Sequence, residues 1–258
     1  MPTYKTKGII IKRVNYKEAD KILTIFTPNM GKISALAKGV RKTTSKLGGH
    51  LELFGSVNLI LAEGKGFDIV TSVEKNCHFK NLCFDLDKAS HAYYVCELVD
   101  KFTHENFKDT RLYDLLFLTL DAVNCEIALN KKLDLILSSF KIKLLHILGF
   151  LPDLKKCVKC GKKDRENYFS SFLGGLICKD CFDVDRESLK ISFECLKVLN
   201  FLELNNFENI KRLKIERKLS LEIEKVLDQF IRFNLERECK AKKLLNDVER
   251  LNVKLLNG

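Results

Sequence analysis

The stretch ILTIFTPNMGKISALA, residues 22–37, decides how the first part of the chain folds. Ile22–Phe26 and Lys32–Ala37 are short runs rich in β-branched and apolar residues, and Pro28–Gly31 between them is typical of a turn. Because each run has the length of a strand and is bounded by turn residues, the stretch predicts two adjacent β-strands.

Three further strands are predicted on either side of this pair, at Gly8–Ile11, Val57–Leu61 and Phe67–Val70. The last two flank Glu63–Gly66, which is typical of a hairpin turn. Five short strands in about 75 residues suit a small closed barrel, and an OB-fold is the natural choice. Periodicity alone does not separate the OB-fold from an SH3-like barrel.

After Leu82 the apolar spacing changes to that of helices. Helices are predicted at 86–104, 110–129, 133–148, 192–205, and from Ser220 to about Leu251. Ser220 is the predicted N-cap of the last helix, with acidic residues following in its first turn.

Two CxxC motifs interrupt this helical region, Cys157–Cys160 and Cys178–Cys181, with seventeen residues between them. This spacing is typical of a zinc site, because two thiolates from each tight turn complete a tetrahedron of sulfurs. The segment between the motifs predicts two short strands, Tyr168–Phe172 and Leu176–Ile177, as in a zinc ribbon. Four sulfurs close the coordination sphere, so one Zn²⁺ is expected in a structural role. Two disulfides, or a chance cluster in a chain with 10 cysteines, are the alternatives.

These patterns predict a two-domain α+β chain. An OB-fold barrel that binds DNA occupies residues 1–80, and a helical domain with a four-cysteine zinc finger at about 155–183 occupies residues 81–258. The six other cysteines are scattered and are predicted to be small buried residues. The N-terminus shows no apolar signal-peptide core, and no stretch is apolar enough to span a bilayer, so we expect a cytoplasmic protein without membrane contact.

The positive charge is concentrated near the N-terminus. The formal net charge is +11, and residues 1–80 hold 14 Lys and Arg against 6 Asp and Glu. The window Lys21–Leu51 contains no acidic residue at all. Its cations are the predicted DNA-binding residues: Lys21, Lys32, Lys38, Arg41, Lys42 and Lys46. An ordinary solvated loop is the alternative.

We expect no enzymatic activity. The chain has no GxxxxGK[ST] loop for ATP hydrolysis. A metal-dependent nuclease would need clustered carboxylates, and the basic window lacks them. A scaffold or adaptor protein with a zinc ribbon and no direct DNA contact stays open as an alternative function.

Four segments in order resemble the RecO family of bacterial recombination mediators over essentially the full length. They are Lys7–Ile11, Glu18–Thr27, Lys38–Lys42 followed by Leu51–Phe54, and Leu148–Pro152 running into Cys157–Gly161. The resemblance implies an N-terminal OB-fold, a helical domain with an embedded zinc finger, binding of single- and double-stranded DNA, and annealing of complementary strands. It also implies two protein partners, RecR and the single-stranded DNA-binding protein, and a bacterial cytoplasm with nucleoid association during repair.

Overall fold

The computed structural model describes residues 1–77, 79–126, 130–164 and 166–256. The chain divides into two compact units, one formed by Met1–Cys125 with Cys239–Gly258 and the other by Glu126–Glu238. The predicted domain boundary after residue 80 separates the barrel from the helices that follow it, which is a different division from these two units. That boundary stays a prediction.

Eight strands and eight α-helices are assigned within the described residues. The strands are β1 Thr3–Tyr16, β2 Asp20–Thr27, β3 Gly31–Ala37, β4 Ser56–Ala62, β5 Asp68–Cys77, β6 Asn167–Ser170, β7 Gly175–Cys178 and β8 Leu189–Ile191. The helices are α1 Asn81–Phe84, α2 Leu86–Phe102, α3 Thr110–Cys125, α4 Asn130–Ile147, α5 Phe193–Leu204, α6 Phe207–Arg212, α7 Arg217–Leu235 and α8 Lys240–Leu256.

The first five strands form a closed barrel in the order β1-β2-β3-β5-β4. β3 and β5 pair in parallel, and β4 returns to pair with β1. This Greek-key order confirms the OB-like barrel predicted from the sequence. The first half of β1 pairs with β4 and the second half with β2. The register shifts between Ile10 and Lys12, close to where the two halves meet, and such a bulge bends a strand.

Alternate residues along these strands fill the interior of the barrel. Leu23, Ile25, Ala35 and Leu59 are buried in one apolar cluster. Because side chains alternate across a strand, the residues between them face outward.

Helices complete the first unit. Asp85 caps α2 by accepting hydrogen bonds from the amides of Asp87 and Lys88. α8 packs against α2. The Glu97 carboxylate of α2 accepts hydrogen bonds from the Lys240 and Ala241 amides, at 2.9 and 2.6 Å. These two contacts satisfy N–H groups that have no partner within α8 itself.

The second unit holds α4, α5, α6 and α7 together with a small sheet in the order β7-β6-β8. α4 packs against the other three helices. The Lys141 ammonium of α4 is fully buried and lies 2.5 Å from the Asp228 carboxylate of α7. A charge removed from water is tolerated here because it is paired.

The helix predicted from Ser220 to about Leu251 is wrong in two respects. Its N-cap is Glu216, and Ser220 lies inside α7. The chain also leaves the helix at Glu236, whose φ of 51° is left-handed, so α7 and α8 are separate helices. Such a residue ends a helix even without glycine, and the sequence around it shows no helix-breaking residue.

The end of α3 and the exposure of the scattered cysteines differ in part from the predictions. The helix predicted over 110–129 is observed as Thr110–Cys125, and residues 127–129 lie outside the described residues. Of the scattered cysteines, Cys96 and Cys195 are buried as predicted, whereas Cys83 and Cys125 are exposed because they lie on the short α1 and at the end of α3. The Cys77 side chain is outside the described part.

Candidate metal centre and nucleic-acid interface

The four predicted ligands meet at one point of the second unit. The Sγ atoms of Cys157, Cys160, Cys178 and Cys181 all lie within 4.8 Å of one another, and those of Cys160 and Cys178 are 3.6 Å apart. A tetrahedral zinc site with Zn–S bonds of about 2.3 Å places its sulfurs about 3.8 Å apart. All four thiols are free, which contradicts the two-disulfide alternative.

Tight turns bring each pair of thiols together. In the first, the Gly161 amide donates to the Cys157 carbonyl at 2.8 Å, and Gly161 has a φ of +75° that favours glycine. The second pair lies where β7 ends at Cys178 and a short 3₁₀ helix, Lys179–Val184, begins. The Val158 amide donates to the Leu176 carbonyl at 2.8 Å, which fastens the first turn to β7.

The thiol chemistry suits a soft divalent cation. Burial raises the pKa of Cys157, but hydrogen bonds from the amides of Cys160, Cys178 and Lys159 outweigh it and lower that pKa to about 6. A thiolate, the form that binds metal, is therefore favoured at Cys157. Burial and hydrogen bonds to the neighbouring thiols raise the pKa of Cys178, and they raise the pKa of Cys181 to about 12, so a metal ion that binds all four sulfurs would release protons from these thiols. The donor set could hold a metal ion, and four sulfurs match the closed coordination of structural zinc.

Close packing around β6 and β7 stabilises the strands next to the four thiols. A Cβ atom added at Gly175 would lie 2.6 Å from the Asp153 carbonyl oxygen and 2.7 Å from a methyl group of Val158. Only glycine therefore lets β7 approach the segment that carries the first thiol pair. On β6, the Phe169 ring packs edge-on against Phe230 of α7, with centroids 5.4 Å apart.

The predicted phosphate-binding cations fall mostly on one loop. We call residues 38–46, which begin the connection from β3 to β4, the basic loop. Its four cations are exposed: Lys38, Arg41, Lys42 and Lys46. The loop is nevertheless fixed, because the Gly39 amide donates to Asp20 Oδ1 at 2.7 Å and Val40 is buried in the barrel core.

Lys21 and Lys32 differ from the basic loop. Lys21 is half-buried on β2, between Asn15 of β1 and Ala37 of β3. The Lys32 ammonium donates to the carbonyls of Asp100 and Thr103 at 2.6 and 2.5 Å, and to Asp100 Oδ1 at 3.0 Å. Lys32 thus joins β3 to the end of α2, and its ammonium is engaged by contacts within the protein.

The sequence analysis named no aromatic residue as a DNA contact. The structure exposes two at the barrel loops, Tyr16 at the end of β1 and Phe67 directly before β5. The alternation of side chains along a strand could have indicated that Tyr16 is exposed, because it lies two residues from Val14 and therefore on the same face of β1. Only the strand pairing shows that β1 and β5 lie on opposite sides of β2 and β3.

An OB barrel with a fixed basic loop, in a chain that also carries a four-thiol cluster able to hold a metal ion, is typical of nucleic-acid-binding proteins. Comparison with known families agrees. Residues 1–76 match the model "Recombination protein O N terminal", and residues 83–243 match "Recombination protein O C terminal".

Individual relatives with the same kind of name support the family match over nearly the whole chain. A DNA repair protein RecO of Dehalococcoides mccartyi is 39% identical over 97% of this chain and 98% of its own length. Proteins of the same name from Roseiflexus sp. and Alkaliphilus metalliredigens are each 37% identical, over 96% and 90% of this chain and 87% and 94% of their own lengths. The chain belongs to the RecO family of DNA repair proteins. Within the described ranges, no helix has an apolar run long enough to cross a bilayer.

Proposed function

We propose that the chain is a non-enzymatic recombination mediator that binds single- and double-stranded DNA and anneals complementary strands without ATP. The observation that carries the proposal is the basic loop, whose four exposed cations project from a backbone fixed on an OB barrel. Because the backbone of the loop is already fixed, little backbone freedom is lost when its side chains bind phosphates, and the released counterions favour binding.

Annealing follows from the same charge distribution. Two strands repel one another through their phosphates, and a dense positive face screens both strands at once. Residues 1–80 carry a net charge of +8, and the window Lys21–Leu51 has no carboxylate that would repel DNA or hold catalytic Mg²⁺. We therefore assign the protein a binding role without strand cleavage.

We further propose that one Zn²⁺ is held by Cys157, Cys160, Cys178 and Cys181 in a structural role. The close approach of the four sulfurs supports this assignment. Zinc would tie the first thiol pair to the end of β7, and its sulfur-only coordination would leave no position for a catalytic water.

The family resemblance adds two proposed partners, RecR and the single-stranded DNA-binding protein, and a bacterial cytoplasmic location with nucleoid association during repair. Isothermal titration with each purified partner tests the interactions directly. Heat of binding with a defined stoichiometry is expected, and its absence with both partners would contradict this part of the proposal.

DNA binding is tested by a salt series on the full-length protein. Arg41→Glu with Lys42→Glu should weaken binding to every DNA sequence alike and make log affinity less dependent on log salt. The matched control is the exposed pair Arg217 and Lys218 at the start of α7, changed to Glu in the same way. Unchanged affinity of the Arg41–Lys42 variant at low salt would contradict a DNA site on the basic loop.

Annealing is tested separately with complementary oligonucleotides that carry a fluorophore and a quencher. The protein should accelerate duplex formation equally with and without ATP. No acceleration over the protein-free rate would exclude annealing, and a strict need for ATP would exclude the mechanism proposed here.

A further inference from the structure

The four thiols of the ribbon differ in how readily a reagent in solution reaches them. Cys160 is exposed and lies in an exposed stretch of the chain, residues 159–164. Cys157 and Cys178 are buried, and Cys181 is intermediate. A small oxidant in solution therefore meets Cys160 before it meets either buried ligand.

The exposed thiol has a buried thiol beside it. The sulfur atoms of Cys160 and Cys178 are 3.6 Å apart. A disulfide bond is about 2.0 Å long, so the two sulfurs have to approach by about 1.6 Å to form one. The backbone on both sides is already joined, because the Val158 amide donates to the Leu176 carbonyl at 2.8 Å. An exposed thiol with a second thiol in reach is the arrangement of a redox-sensitive pair.

The metal-ligand role distinguishes Cys160 from the other exposed thiols. Cys83 and Cys125 are also exposed, but they lie outside the four-thiol cluster. Cysteines that hold a metal do so as thiolates, and the thiolate is the form that oxidants attack. Exposure, thiolate character and a neighbouring thiol therefore coincide at Cys160.

We propose that Cys160 is an oxidation site, at which a peroxide converts Cys160 and Cys178 into a disulfide and releases the metal ion. The inference rests on the proposed zinc site and goes beyond it, since it gives the ribbon a response to oxidants in addition to its structural role. Hydrogen peroxide is the simplest oxidant of this class.

The reaction proceeds in two steps. The Cys160 thiolate attacks one oxygen of the peroxide, so that an S–O bond forms, the O–O bond breaks, and the leaving hydroxide takes up a proton to give water. The Cys178 thiolate then attacks the Cys160 sulfur, so that the S–S bond forms, the S–O bond breaks, and a second hydroxide becomes water. Two thiolates, one peroxide and two protons give one disulfide and two waters, and the sulfurs lose the two electrons that the peroxide gains.

The metal leaves because only two ligands remain. Cys157 and Cys181 cannot complete the four-sulfur tetrahedron of a structural zinc site. The new disulfide joins the first thiol turn to the end of β7, which are the same two segments that zinc would join. Oxidation should therefore remove the metal while the small sheet β7-β6-β8 stays folded.

The test adds hydrogen peroxide in small increments to the zinc-loaded, full-length protein in buffer free of other thiols. Zinc release is followed with a chromogenic chelator, and disulfides are mapped by peptide mass spectrometry without reduction. Each equivalent of reacted peroxide should release one zinc ion and form one Cys160–Cys178 disulfide, and dithiothreitol with added zinc should restore the metal. Cys83→Ser with Cys125→Ser removes two exposed thiols outside the cluster, and this control should behave as the wild type does.

A second measurement avoids ligand variants, which would lose the metal for a separate reason. Dimedone traps sulfenic acids, and when it is added together with the peroxide it should label Cys160 ahead of the three other ligands. Hydrogen exchange of the oxidised, zinc-free protein should stay slow in β6 and β7, unlike in a variant that lacks one of the four thiols.

The outcomes separate this inference from the proposed zinc site. A protein that keeps its zinc through several equivalents of peroxide would overturn the oxidation site and leave the zinc assignment standing. A disulfide between another pair, such as Cys157 and Cys160, or a first dimedone adduct on another ligand would also overturn the oxidation site. A protein that carries no zinc in reducing buffer would overturn the metal assignment and this inference together.

Discussion

The four-thiol ribbon around Cys157–Cys181 and the basic loop show two ways in which a short segment can be held in a fixed shape. In the ribbon, four thiols from two turns converge within 4.8 Å, and the surrounding backbone is connected by hydrogen bonds. In the basic loop, the backbone is anchored by the Gly39–Asp20 hydrogen bond, by the Arg41 amide on the Ala19 carbonyl and by the buried Val40, while the four cations are exposed. The thiols of the ribbon face one another, whereas the lysines of the loop face solvent and Arg41 also donates to the Glu18 carbonyl.

This difference predicts opposite results for mutations in the two regions. A change in the ribbon should act on folding and reach DNA binding only indirectly. A change of a loop cation should act on DNA binding and leave folding unaffected. The four predictions below test that contrast, from the largest expected effect to the smallest.

The largest effect is expected for Cys178→Ser. The variant should lose its zinc and the ordered structure of residues 155–183, since structural zinc contributes about 10 kcal/mol or more in zinc-finger peptides. Metal analysis and hydrogen exchange measure the two losses, and exchange in the β-barrel should stay slow. Cys83→Ser, at an exposed thiol outside the cluster, should keep the metal. Full zinc content in the Cys178 variant would refute this ligand assignment.

Gly175→Ala should have the next largest effect. The added methyl group would lie 2.6 Å from the Asp153 carbonyl oxygen, so β7 or the first thiol turn has to move. Overpacking of this kind costs about 1–3 kcal/mol, measured as a lower free energy of unfolding. Gly66→Ala is the control, because a Cβ there meets no atom within 4 Å and its φ is not left-handed. Equal stability of the two variants would show that the close approach does not constrain the ribbon.

How far the sequence predicted these two regions depends on how local each one is. The metal site is built from two CxxC motifs, so its four ligands could be assigned from spacing alone. The barrel that carries the basic loop pairs residues as distant as Leu36 and Ile69 through strand register, and no local pattern shows that pairing. The third strand of the small sheet, β8, and the short α6 were also missed, because three and six residues carry too little periodicity.

Lys32 is a single residue whose role could not be predicted from its local sequence. The absence of acids in its sequence neighbourhood suggested a phosphate contact, but its partner Asp100 lies 68 residues further along the chain. Lys32→Ala should therefore lower the free energy of unfolding by about 2 kcal/mol, since hydrogen bonds to a charged group are lost. Chemical denaturation measures this directly. A stability equal to wild type, combined with a loss of DNA affinity, would restore Lys32 to the DNA interface.

The smallest effect on stability, and the sharpest on binding, is expected for Lys42→Ala. The side chain is exposed on the basic loop, so the free energy of unfolding should change by less than about 0.5 kcal/mol. If Lys42 contacts one phosphate, the slope of log affinity against log salt should become shallower by about 0.9 for duplex DNA and about 0.7 for single strands. Lys32→Ala, studied at a temperature where it remains folded, should keep the wild-type slope. The two lysines belong to the same acid-free window, and only their surroundings in the folded barrel distinguish them. Identical slopes for both variants would therefore mean that exposure on the loop does not determine which cation meets DNA.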